Sequence, residues 1–368
     1  MWREHDKFAV KIQVNSAISC ENATKAWDRG SRMLILGIET SCDETAAAVV
    51  RNGSEILSDI VASQIPVHSP FGGVVPELAS RKHLENIIPV IERALAEADC
   101  SRDDLDAVGV TQGPGLVGAL LIGLSAGKAM AYALGKPVIP VNHLEGHIQA
   151  AFLGEDRPAN PFICLVVSGG HTALYRVDPF GRSELLGATR DDAAGEAFDK
   201  VAKLLNIGYP GGIVIDKLAG AGNPEAFRFP RSRFDKESLE FSFSGLKTAA
   251  ANFINRNGVA ESGVSGSYRL EDFAASFQEA IVDVLVTKTL KAAEQSGLTE
   301  IAAVGGVAAN SRLRARLTRE ADANGLRLYL PPVRFCTDNA VMIASAAYRI
   351  WMRSGFQQNT LELDAFSR

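Results

Sequence analysis

Cysteine is scarce in this sequence: Cys20, Cys42, Cys100, Cys164 and Cys336 stand scattered, in no C-x-x-C pair. An odd, dispersed set excludes a disulfide framework and a thiolate zinc site, and fits a reducing compartment. Positive charge is not in excess either. Lys and Arg number 38 against 43 Asp and Glu, a net charge of −5. A nucleic-acid partner would therefore have to be held by a local basic patch, not by the overall field. No apolar run is long enough to span a bilayer. The first 32 residues lack the apolar core of a signal peptide. Glu4, Asp6, Glu21 and Asp28 argue against a mitochondrial presequence, which would be poor in acids. Residues 1–32 are expected to be a disordered extension, or a stretch upstream of a natural start at Met33.

What remains is a chain of 368 residues, too long for one ordinary core and suited to two domains. Two segments look like copies of one device. Leu34 to Val50 and Phe162 to Val177 each pair an apolar run with a turn of small and hydroxylated residues, then a threonine and a second apolar run. Both read as β-hairpins whose tight turns expose backbone N–H groups, a concavity that favours an anion. Between them, Pro76 to Asp99 carries Leu78, Leu84, Ile87, Ile88, Ile91 and Leu95 at helical spacing. Strands are expected at Asp106–Thr111, Val138–Val141 and Ile301–Gly306. Helices are expected up to Leu134, through most of Gly195–Gly297, from Ala308, and after Asp338. Alternating strands and helices with a repeated hairpin imply α/β layers in two related lobes, with a cleft between them.

Histidine is rare as well, with six residues, yet His143 and His147 stand four apart. On a helix that spacing puts both imidazoles on one face, in reach of one ion. Asn142 is a good N-cap for such a helix, and Pro140 stops any helix arriving from upstream. A zinc-protease motif would place its glutamate directly after the first histidine. Here Glu145 follows by two, which rotates it away from the histidine face. The pair reads as a metal site without protease machinery, or as two capping or core histidines.

The resemblance to one known family is strong. It is carried by Ile38-Glu-Thr-Ser-Cys-Asp-Glu-Thr45, Gly72 to Arg81, Gly113-Pro-Gly-Leu-Val-Gly118 and His143-Leu-Glu-Gly-His147. It continues in Val167-Ser-Gly-Gly-His-Thr172, Asp191 to Lys200, Tyr209-Pro-Gly-Gly212, Phe241 to Lys247, Gly305-Gly306 and Phe335-Cys-Thr-Asp-Asn339. From about Met33 onward the chain resembles the TsaD family of bacterial tRNA N6-adenosine threonylcarbamoyltransferases, formerly termed glycoproteases. The resemblance implies an α/β, two-lobed actin-like ATPase (ASKHA) fold, as in hexokinases and heat-shock chaperones. The lobes would be 33–160 and 161–337, with 338–368 a C-terminal helix packing back on the first lobe. It also implies transfer of a threonylcarbamoyl group from its adenylate to N6 of adenosine 37, in cytoplasmic tRNAs that read codons starting with A.

Site residues follow from the same resemblance. Asp338 would join His143 and His147 on one divalent metal ion per subunit, iron by first expectation and zinc as the alternative. On the residues alone Asp338 would instead be a helix N-cap. Val166, Val167, Ser168, Gly169 and Gly170 match the substrate-binding turn, and Asp199, Gly212, Asp216 and Asn310 the nucleoside positions. Ile213 stands where the family pattern leads one to expect proline. Asp43 and Glu44 would face the cleft and orient the attacking amine or take its proton. For the tRNA anticodon loop, Phe227 to Phe234 alternates arginines with aromatics, and Arg81, Lys82 and Lys247 could extend it; a solvated loop with buried phenylalanines is the alternative. Expected partners are a catalytically silent paralogue (TsaB), pairing through the first lobe, and a small ATPase (TsaE), with no membrane. The helix after Gly118 is a candidate pairing surface. Rival readings are a metalloprotease, and a sugar kinase or ATPase sensor of the same fold.

Overall fold

The computed structural model describes residues 32–154, 156–159, 161–179, 181–231, 237–259, 268–354 and 362–367. Apart from Arg32, the expected N-terminal extension lies outside the described residues. The first half runs β1 (Leu34–Glu39), β2 (Glu44–Arg51), β3 (Glu55–Ser63), α1 (Pro76–Glu97), β4 (Ala107–Gly113), α2 (Val117–Leu134), β5 (Val138–Asn142) and α3 (His143–Ala150). The second opens with β6 (Phe162–Val167), β7 (Thr172–Val177), β8 (Ser183–Ala188), α4 (Ala194–Leu205) and α5 (Gly211–Ala219). It continues with α6 (Ser244–Asn257), α7 (Leu270–Ser296), β9 (Glu300–Val304), α8 (Ser311–Ala323), β10 (Arg327–Tyr329) and α9 (Ala340–Ser354).

The two sheets share one topology. Their strand orders are β3-β2-β1-β4-β5 and β8-β7-β6-β9-β10. In each, the central strand pairs antiparallel with its hairpin partner and parallel with the next strand, β1 with β4 and β6 with β9. β6 and all of β1 but its first residue are buried, as continuous apolar runs flanked on both sides should be. Parallel strands β1, β4 and β5 end at one edge, the edge where open α/β sheets hold their ligands. This is the two-lobed fold expected of an actin-like ATPase.

Helices α1 and α2 cover the outer face of the first sheet, and α4 to α8 enclose the second. The third core is shared. It joins Ile35 and Val50 of one sheet, Cys164 and Val166 of the other, and Val341 to Ala347 of α9. Three glycines make the bed for α9. A Cβ on Gly109 would lie 2.6 Å from the Cβ of Ala347, and one on Gly146 would lie 2.8 Å from Cδ1 of Ile343. One on Gly37 would collide with the carbonyl of Ala340 and lie 2.8 Å from the amide of Ala344.

Three expectations need correction. Helix α2, 18 residues of mean hydropathy 1.5, is long and apolar enough by length and composition to cross a bilayer. Its Ala119, Leu120, Gly123 and Leu124 are nevertheless buried, so it serves as a packed helix of the first lobe. In α1, Leu84 and Ile88 belong to the helical stripe but stand 66% and 51% exposed, while Ile87 and Ile91 face the core. Finally, β3, β8 and β10 extend the sheets beyond the expected hairpins and strands.

Candidate active site

The site grows from the carboxyl edge of the first sheet. β5 runs directly into α3, whose N-cap Asn142 accepts hydrogen bonds from the amides of Leu144 (2.9 Å) and Glu145 (3.3 Å). That cap fixes the first turn, and the four-residue spacing then sets His143 beside His147, ring centroids 4.6 Å apart. From the far end of the sequence, Asp338 precedes α9. It is not the helix cap, because Asn339 takes that role by accepting from the amide of Met342 at 2.9 Å. Its carboxylate is left to face both imidazoles, with Oδ1 3.6 Å from His143 Nε2 and 3.2 Å from His147 Nε2. The three ligand atoms lie within 4.8 Å of one another. His147 is fully buried, and neither of its ring nitrogens has a hydrogen-bond partner of good geometry. A buried donor set left unsatisfied in this way fits a cation.

A further carboxylate supports the cluster, and sequence reasoning missed it. Glu39, at the last position of β1, is fully buried. Its Oε2 lies 3.1 Å from His143 Nδ1 and accepts from Thr111 Oγ1 at 2.6 Å, while the amide of Ser41 donates to Oε1. With Nδ1–H directed at Glu39, Nε2 is the nitrogen that faces Asp338, and an ion there would take the place of its proton. Burial alone would raise both acids. The charge of His143 holds Glu39 below its ordinary range, and His143, His147 and His171 hold Asp338 well below it. Burial opposes charge on His143, but Glu39 and Asp338 raise it to about 9. The signal for Glu39 lay in the parallel order of β1 and β4, which no local motif reveals.

Asp43 and Glu44 occupy the β1–β2 turn. Asp43 Oδ2 accepts from the Tyr209 hydroxyl at 3.4 Å, and Glu44 Oε1 from the Ser63 hydroxyl at 3.2 Å. Burial, with the charges of Asp43 and Asp338, pushes Glu44 up to about 10. Burial and the neighbouring carboxylates thus favour its protonated form. Buried His83 braces this turn from α1, with Nε2 2.9 Å from the Cys42 carbonyl and Nδ1 2.8 Å from Thr45 Oγ1.

In the second lobe, Val166 and Val167 end β6, and Ser168, Gly169 and Gly170 form the turn into β7. Nothing lies within 4 Å of where a Cβ would sit on Gly169 or Gly170, so the turn faces open space. His171, in the same turn, is drawn down to about 4 by burial and by the nearby charges of His143 and His147. Asp199 on α4 accepts from the Gly211 amide at 2.7 Å, which ties it to the start of α5 where Gly212 stands. Asp216 on α5 accepts from the hydroxyl and amide of Ser311 (2.8 and 3.0 Å), beside Asn310. Asn310 does cap α8, accepting from Leu313 N at 2.9 Å, and its amide donates to Gln278 at 2.7 Å. Ile213 is 65% exposed in the first turn of α5, and the helix starts at Gly211 with Pro210 as its N-cap and no proline at position 213.

Burial pushes Asp199 up to about 6; the Gly211 amide opposes this and the Asp43 charge adds to it. A carboxyl raised on folding lends stability that is full below its unfolded value of 3.8 and is lost as pH rises through about 6. Asp199→Asn keeps the acceptor for Gly211 and removes the charge. It is expected to raise the thermal midpoint at pH 7.5 by about 2–6 °C and to leave it unchanged at pH 4. Equal midpoints at pH 7.5 would refute this.

The basic segment is less available than its sequence suggests. Phe227 and Phe229 pack edge-on against Phe253 (4.8 and 6.5 Å), and Phe229 also against Phe273 (5.3 Å), as core and not as a stacking platform. Arg231 pairs with Asp283, Lys247 with Asp192, Arg81 with Glu77 and Lys82 with Glu85. Ser232 to Phe234 lie outside the described residues.

Comparison with known proteins bears on this site. The family model for tRNA N6-adenosine threonylcarbamoyltransferase (TsaD) matches residues 55–345. A relative of that name from Syntrophobacter fumaroxidans is 64% identical over 337 residues, 91% of this chain and 99% of its own. One from Anaeromyxobacter dehalogenans is 56% identical, over 87% and 94% of the two chains. Among solved structures, full-length HypF in its phosphate- and nucleotide-bound form superposes with a TM-score of 0.58 at 13% identity, over 89% of this chain and 47% of that one. Component A of the (R)-2-hydroxyglutaryl-CoA dehydratase of Acidaminococcus fermentans gives 0.52 at 14% identity, over 87% of this chain and 100% of that one. These structures bear on the fold alone. The sequence matches decide the family: this chain belongs to the TsaD family, the tRNA N6-adenosine threonylcarbamoyltransferases.

Proposed function

We propose that the chain transfers the threonylcarbamoyl group of threonylcarbamoyl-AMP to N6 of adenosine 37 in tRNAs reading ANN codons, giving t6A and AMP. The observation that carries this reading is the His143–His147–Asp338 cluster, whose charge reaches both the Asp43–Glu44 turn of one lobe and His171 of the other. The adenosine amine attacks the carbamoyl carbon, the carbon–oxygen bond to phosphate breaks, and AMP leaves with the electron pair. A divalent ion, iron or zinc, held by the three ligands would supply Lewis-acid stabilisation of the oxygens. The Ser168–Gly170 turn would offer amides to the phosphate, and Val166 and Val167 set its height. Asp199 and Asp216 would accept from the ribose, with Gly212 leaving room for it and the second Asn310 amide hydrogen donating there.

At the other wall, Asp43 takes the proton that the amine loses, while neutral Glu44 donates and orients. Accordingly Glu44→Gln should keep single-turnover transfer within about threefold, whereas Asp43→Asn should lower it on the order of a hundredfold. A loss in Glu44→Gln as large as in Asp43→Asn would remove this division of labour. The exposed face of Leu84, Ile88, Val117 and Leu121 on α1 and α2 suits an apolar contact, and we assign it to the silent paralogue; the small ATPase would join that assembly. The deciding experiment is mass spectrometry of anticodon-loop nucleosides after incubation with threonine, bicarbonate, ATP, the adenylate-forming enzyme and the partners. Mass gain at adenosine 37 is expected; its absence with intact adenylate present would overturn the reading.

A further inference from the structure

The opposite end of α9 holds a second feature that the transfer reaction does not use. A cavity of about 500 Å³ is lined there by Arg157, Arg349 and Arg353, with Phe152, Tyr348 and Met352 as its apolar wall. From Asp338 to Arg353 the chain advances about 20 Å along the helix, so the cavity lies well away from the metal cluster. It is floored by both lobes. The β2–β3 turn enters through Gly53, which packs on the Tyr348 ring and whose carbonyl accepts from Ser345 Oγ at 2.7 Å. The β7–β8 connection enters through Pro179, and the Gly181 carbonyl of the same connection accepts from Arg353 at 3.4 Å.

Three arginines line one cavity, and like charges so placed repel one another unless something negative sits among them. None of the three forms an ion pair among the described residues. Arg349 is half-buried, its guanidinium 3.7 Å from the centre of the Phe152 ring. Burial and the charges of Arg157 and Arg353 bring it below the usual guanidinium range, with Asp178 opposing. The carbonyl end of α9 favours cations, but Arg157 belongs to the α3–β6 connection and owes its place to no helix end. Arginine forks match phosphate oxygens, and the aromatic wall and the volume exceed what bare phosphate fills.

We propose that this cavity binds the phosphates of a free nucleoside di- or triphosphate, bridging the two lobes at the end remote from the metal cluster. Because the ligand touches the hairpin turns of both lobes, its binding would bias their relative closure.

The probe is ADP on the full chain, read by hydrogen exchange at 52–54 and 345–353. ADP is expected to slow exchange in both segments of the wild type. In the Arg157→Gln/Arg353→Gln variant, altered at two exposed side chains, the half-saturating ADP concentration for that protection should rise at least tenfold. The thermal midpoint should not change. Protection in a segment around 166–170 would report ADP at the other site and should survive in the variant. No slowing at 345–353 in the wild type, or equal slowing in the variant, overturns the proposal. So does protection of these segments by tRNA but not by ADP, which would assign the arginines to an RNA backbone.

Discussion

Asp338→Ala is expected to empty the cluster of metal and to lower transfer on the order of a thousandfold, while the protein stays folded. The fold should survive because Asp338 caps nothing: Asn339 accepts from Met342 and holds the start of α9. The metal should be lost because two histidines alone leave no carboxylate ligand on the ion, and Asp338 is the carboxylate that faces His147, at 3.2 Å. Elemental analysis of the purified variant, a thermal melt and a single-turnover assay form one test. A variant that retains stoichiometric metal and near-normal transfer would remove Asp338 from the ligand set. Glu39→Gln gives a graded companion. It keeps a hydrogen-bonding group beside His143 Nδ1 but removes the charge, so a milder loss of ten- to a hundredfold in metal affinity is expected.

Gly37→Ala is expected to be strongly destabilising. The new Cβ would meet backbone, the Ala340 carbonyl and the Ala344 amide, and backbone of a buried helix cannot turn aside as a side-chain tip can. Overpacking of this kind costs about 3 kcal/mol or more. Any shift of α9 that relieves it also carries Asp338 away from the histidines, so activity and stability should fall together. Gly245→Ala is the control, since nothing lies within 4 Å of its Cβ position on α6; it should be neutral or mildly stabilising. Denaturant unfolding of the two variants decides the matter. A Gly37→Ala midpoint within error of wild type would mean that α9 is not seated on β1 as described.

The sequence made the histidine helix legible because its information is local: a cap, a period and a rare residue type. The duplicated hairpins were equally local, and their repetition was the clue to two lobes. What stayed hidden depends on distant pairing. Glu39 ends an apolar strand and is unremarkable until β4 lies parallel to β1 and brings Thr111 beside it. The three-residue β10 offered no pattern to read. Phe227 and Phe229 alternate with arginines as a stacking surface would, yet Phe253 and Phe273, from other helices, claim them for a core. Leu84 and Ile88 show the reverse case, for a helical stripe can be wider than the face it buries.

The seating of α9 also carries a consequence in time. Synthesis runs from the first residue to the last, and domains fold as they emerge. A ribosome that has made residues up to 337 has produced both sheets and both histidines, but not the acid that completes the triad. Nor has it produced the helix that fills the bed of Gly37, Gly109 and Gly146. Until Asp338 and α9 clear the exit tunnel, the nascent chain can neither close its shared core nor hold an ion by three ligands. The third ligand and the helix that fills the glycine bed therefore arrive together, so the triad and the shared core become possible at one and the same point of synthesis.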